Sequence, residues 1–122
     1  MTEIKTFNPG EITQAVNDNN GLLFIHFGSP LASYCETIHR QLEILLPVFE
    51  GSVRFAEVEL PLQDFDLIRA FQLEEVPTLI LFNGEDEVER LEDVPSLDSL
   101  KDFLQAGVSF YGRSISENEN KM

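Results

Sequence analysis

Leu22-Leu23-Phe24-Ile25-His26-Phe27-Gly28-Ser29-Pro30 is the stretch on which the fold turns. From Leu22 to Phe27 it is apolar without alternation, interrupted only by His26, and it stops at a Gly-Ser-Pro loop signal. A short run of this kind, bounded by turns, reads as a strand buried on both faces. Asp18-Asn19-Asn20-Gly21 supplies the turn before it. A strand buried on both faces belongs to a sheet with helices above and below.

The segments on either side fit that sheet. Ile12, Ala15 and Val16 give residues 10–18 the spacing of a short amphipathic helix. After the loop, Ile38, Leu42, Leu45 and Leu46 lie opposite Glu36, Arg40 and Glu43, which predicts a helix from about Ser33 to Phe49. Ser33 and Glu36 have the S-x-x-E spacing of a capping box, and Pro47 falls where the helix kinks or ends. Val53, Phe55, Ala56, Val58 and Leu60 against Arg54, Glu57 and Glu59 read as a clean alternation, which predicts a strand. Residues 64–71 read as a helix and 78–82 as an apolar strand. Asn83-Gly84 is a hairpin signal leading to a return strand with Val88 and Leu91. Residues 96–106 read as a last helix, capped by Ser96 or Ser99 and ended by Gly107. The order α-β-α-β-α-β-β-α implies an α/β domain over residues 1–106, with a mixed sheet of about four to five strands flanked by helices on both faces. Residues 107–122 read as a polar tail in which Phe110 and Tyr111 are the candidates for docking on the domain.

Composition narrows the function. The chain has 122 residues, the length of one domain, and 43% are hydrophobic, enough for a core. It carries 22 acidic against 8 basic residues, a formal net charge of −14. Phosphate backbones and anionic membranes repel such a chain, so neither nucleic acid nor a membrane is expected as partner. The charge reads either as solubility or as an acidic face for a basic protein. There is one cysteine, Cys35, so no disulfide can form within the chain. The first residues have no basic start and apolar run, and no apolar segment approaches the ~20 residues of a membrane span. A cytoplasmic protein with a reduced thiol is the expectation.

Two segments carry a family likeness. Leu23 to Phe27, the loop Gly28 to Leu31, and Ala32-Ser33-Tyr34-Cys35 resemble the central strand, loop and C-x-x-C box of a thioredoxin. Glu75-Val76-Pro77-Thr78-Leu79-Ile80-Leu81-Phe82-Asn83-Gly84 resembles that family's cis-proline segment, strand and hairpin, the most specific part of a likeness covering roughly residues 10–106. The resemblance implies the thioredoxin fold and a cis Pro77. In the family, a thiolate at the first box position attacks a substrate disulfide, and the second cysteine resolves the mixed disulfide. The edge beside the cis-proline pairs with an extended substrate peptide.

This sequence departs from that pattern where the chemistry lies. Ala32 stands at the nucleophile position, and a methyl group cannot attack sulfur. Cys35 matches the resolving cysteine alone. Gly28 and Leu31 replace the family's tryptophans, Tyr34 the proline of the box, His26 the buried acid of the central strand, and Arg40 the proline of the long helix. Dithiol turnover is therefore not expected, and a shift of register cannot restore it, because no second cysteine exists.

What remains divides into three readings. In the first, Ala32, Ser33, Tyr34, Val76, Pro77 and Thr78 bind a protein or peptide without redox chemistry, in a chaperone or assembly role. In the second, Cys35 acts as a monothiol that forms mixed disulfides in redox homeostasis, with His39 four residues on along the helix stabilising its thiolate. The bland alternative for Cys35 is an inert buried thiol. In the third, the acidic surface binds a basic protein. His26 reads either as a packed core histidine or as a proton relay to Cys35. A Cys/His metal pair finds no further ligands nearby in the sequence, so no metal and no cofactor are expected. The acidic run from Glu85 to Asp93 reads as a solvated hairpin edge that discourages edge pairing.

Overall fold

Side chains leave the stretch Leu22–Gly28 (β2) alternately toward two cores, and this alternation organises the whole chain. A computed structural model describes residues 3–29, 33–60, 65–74 and 76–112, with the backbone alone at Ser33 and Phe65. Leu23, Ile25 and Phe27 point to one core, shared with Ile12, Val16, Leu67, Phe71, Ile80 and Phe82. Leu22 and Phe24 point to the other, shared with Ile38, Leu42, Leu45, Phe55, Leu79, Leu81, Leu100 and Leu104. Every residue of β2 is buried, as the unbroken apolar run requires.

The elements around it are β1 (Lys5–Phe7), α1 (Pro9–Asn17), α2 (Ser33–Leu45), β3 (Val53–Glu59), α3 (Phe65–Phe71), β4 (Thr78–Asn83), β5 (Asp86–Leu91) and α4 (Leu97–Gly107). They form a five-stranded sheet in the order β1-β3-β2-β4-β5. β1, β3 and β2 run parallel, while β4 is antiparallel to both β2 and β5. α1 and α3 contribute to the first core and α2 and α4 to the second, so helices cover both faces. This is the α/β arrangement that the thioredoxin likeness implies.

Three features differ from the sequence reading. β1 precedes the first helix and pairs with β3, with Lys5 opposite Ala56. α2 ends at Leu45, and Leu46 to Phe49 turn around Pro47, which cannot supply the next helical N–H. Beyond Gly107 the chain continues in a π-helical turn, Val108–Gly112. Val108 and Tyr111 pack on the second core, while Phe110 stays 70% exposed, so the packed chain runs on to residue 112. The rest of the expected tail lies outside the described residues.

The β4–β5 hairpin turns at Gly84, whose φ of +63° suits a residue without Cβ. Its tip is tied to the turn before β2, where Asn19 Nδ2 donates to the Gly84 carbonyl at 2.7 Å and the Gly84 N–H donates to Gly21 at 2.9 Å. The Val76–Pro77 peptide bond is cis. No helix among the described residues is long and apolar enough to cross a membrane.

Candidate functional site

The candidate residues gather around the first turns of α2, on two sides. Successive residues of a helix point about 100° apart, so Tyr34 and Cys35 face different neighbours. Tyr34 turns toward the segment before β4, and its hydroxyl donates to the Val76 carbonyl at 2.5 Å. Val76 is half-buried, whereas Pro77 and Thr78 are buried. The contact thus ties Tyr34 to Val76, in the segment that leads through buried Pro77 and Thr78 into β4. Ala32 lies outside the described residues. Ser33 opens α2, but its side chain, and with it the expected capping box, lies outside them too.

Cys35 turns the other way, over the end of β2. Its thiol is half-buried and accepts the Ser29 N–H at 3.4 Å. Burial pushes the Cys35 thiol above its ordinary value. The Ser29 N–H pulls it down, the nearby Glu57 and Glu59 carboxylates push it up again, and the outcome is upward. The expected help from His39 is not what the ring does. Its Nδ1 meets Glu57 Oε1 at 2.5 Å, and its Nε2 lies 3.6 Å from Glu43.

Glu57 is the residue that the sequence reading missed. In the parallel register, Phe24 pairs with Phe55, His26 with Glu57 and Gly28 with Glu59. These pairs therefore share the face covered by α2. Glu57 Oε2 meets His26 Nδ1 at 2.9 Å while Oε1 takes His39, so one carboxylate joins both histidines. Burial works against the charged carboxylate, but the two imidazoles outweigh it, and Glu57 titrates below its ordinary value. A sequence signal for this existed. The doublet Phe55-Ala56 moves the apolar residues of β3 from one face to the other, so the period of two puts Glu57 on the face of Val53 and Phe55, while Arg54 shares the opposite face with Ala56 and Val58.

His26 is 3% exposed and half satisfied: Nδ1 has Glu57, while Nε2 is buried with no partner among the described residues. Its ring borders a cleft of about 490 Å³ lined also by Thr6, Gly28, Cys35, His39 and Glu59. Gly28 forms the cleft's floor. A Cβ there would lie 2.8 Å from Cys35 Sγ and 3.0 Å from His26 Nε2. Among the described residues, no group of three or more His, Cys, Asp or Glu side chains is arranged to hold a metal ion.

Chemically, the arrangement offers a muted thiol, an acidic cleft with an unpaired imidazole nitrogen among the described residues, and an edge whose carbonyl is held by a tyrosine. Among curated proteins, none matches this chain. The sequence model of the thioredoxin family matches residues 3–106, most of the 122-residue chain, including every strand described above and α1 to α4 but for Gly107. The chain belongs to the thioredoxin family.

Proposed function

We propose that this thioredoxin-family domain binds a protein partner in extended form at the Tyr34–Val76 edge, without thiol–disulfide turnover. The observation that carries the reading is the environment of Cys35. A resolving or attacking thiol works as thiolate, and here burial together with Glu57 and Glu59 opposes the thiolate. With Ala32 at the other box position, the chain has no nucleophile to replace it.

The edge keeps what binding needs. Val76 presents a backbone carbonyl beside exposed Tyr34, and an added peptide strand draws its affinity from such main-chain groups. Tyr34 competes for that carbonyl, and its release costs about 0.5–1.5 kcal/mol, the net worth of a typical hydrogen bond. Peptide binding by wild type, Cys35→Ser and Tyr34→Phe tests the reading, with unstructured peptides titrated by calorimetry. Cys35→Ser is expected to bind within about twofold of wild type. Tyr34→Phe is expected to bind about 2- to 10-fold more tightly. Loss of binding in Cys35→Ser would point to covalent capture by the thiol and contradict the reading.

A further inference from the structure

The cleft on the other side of α2 has an open acceptor and no occupant among the chain's own described side chains. Glu57 titrates low and is an acceptor only, so the ring nitrogens that face it, His26 Nδ1 and His39 Nδ1, carry the protons. With its Nδ1 proton on Glu57, a ring that carries one proton presents Nε2 as a lone pair. That atom is buried, unpartnered, and aimed at the space above Gly28. Buried polar atoms in native proteins are nearly always satisfied, so an orphan at the floor of a cleft marks the place of a missing donor.

The walls say what kind of donor. Glu57 and Glu59 flank the floor, and Glu36 stands at the rim with Arg40 at 2.8 Å. Gly28, without a Cβ, leaves the passage to Nε2 open, and Thr6 and Val58 complete the lining. A lysine or arginine side chain offers the matching groups: N–H donors for the acceptor at Nε2 and a positive charge for the carboxylates. The net charge of −14 favours approach of a basic partner over an acidic one.

We infer that the cleft between His26, Cys35 and Glu59 receives a lysine or arginine side chain of the protein partner. This inference rests on the proposed binding function and names the chemistry of the partner. The edge at Val76 and the cleft at Cys35 share the first turn of α2, so one partner segment can reach both. His26 Nε2 accepts one N–H, and the Glu59 carboxylate faces the charge. Gly28 keeps the passage open.

The test is a titration of the ¹⁵N-labelled full chain with a capped, otherwise neutral nonapeptide carrying one central arginine. Its lysine and glutamine counterparts and argininamide alone serve as comparisons. The arginine and lysine peptides are expected to move the amide signals of Gly28, Ser29 and Cys35, and to bind about tenfold or more tightly than the glutamine peptide. Gly28→Ala, which fills the floor, and Glu59→Gln, an exposed change that leaves packing alone, are each expected to remove most of that preference. Equal binding of the glutamine peptide, or a preference untouched in both variants, would overturn the inference. So would argininamide alone binding as tightly as the peptide, because the source would then be a free cation. Shifts confined to Tyr34 and Val76 would overturn the cleft's role and leave the binding function standing. Silence at both places would overturn both.

Discussion

Glu57 holds two imidazoles, one buried and one at the surface, and the molecule's pH response is written at this residue. Its carboxyl is depressed, so the stability that it contributes is present above its ordinary value of 4.5 and is lost as pH falls through the lower folded value. Glu57→Gln turns both imidazoles toward an amide and gives one of them an NH2 group in place of an acceptor oxygen. An unpaired buried group costs about 1–3 kcal/mol. Urea unfolding is expected to show wild type more stable than Glu57→Gln by about that amount near neutral pH, with the gap narrowing below pH 4.5. A gap that widens on acidification would contradict the assignment. The sequence alone revealed His26, Cys35 and His39 as the residues to watch. It hid Glu57, because the apolar residues of β3 change face between Phe55 and Ala56 while the strand keeps its period of two. It hid the Tyr34–Val76 bond as well, which joins residues 42 apart through tertiary packing.

Among the elements, the long apolar ones were legible and the short or edge ones were not. β2, β3, β4 and the amphipathic helices carry periodicity enough to locate them within a few residues. β1 has three residues, Lys5, Thr6 and Phe7, and becomes a strand only by pairing with β3. No local pattern announces it. α4 was legible at its start: Ser96 Oγ accepts the Ser99 N–H at 3.1 Å, as an N-cap should. Its end was not, because Gly107 serves packing and not termination. A Cβ at Gly107 would lie 2.6 Å from Leu81 Cδ2 in the core, and the chain coils on past it. Loss of the cap is the direct check on this element. Ser96→Ala is expected to cost about 1 kcal/mol in chemical denaturation, and Ser96→Asp to restore most of it. An unchanged midpoint in Ser96→Ala would mean that the cap contributes nothing.

At the scale of the whole molecule, charge acts on folding and on binding in opposite senses. A formal charge of −14 repels itself in the compact state. Raising ionic strength from about 0.01 to about 0.1 M shortens the screening length from ~30 to ~10 Å and relieves that repulsion. The thermal midpoint is expected to rise, by roughly 4 °C for each kcal/mol relieved. Binding of a basic peptide is expected to weaken over the same range. A midpoint that falls with salt would show that ion pairs, such as Arg90 with Glu87, outweigh the net repulsion.

The central claim, a thioredoxin-family domain that binds without turning over thiols, is tested most directly by the alkylation rate of Cys35 against pH, folded and unfolded. The unfolded chain is expected to titrate near an ordinary thiol pKa of about 8.5. The folded chain is expected to react more slowly at every pH and to titrate higher, because burial and the Glu57 and Glu59 carboxylates oppose the thiolate. Fast reaction in the folded chain with a titration well below the unfolded one would reveal a stabilised thiolate, and would replace the binding module with a monothiol redox protein.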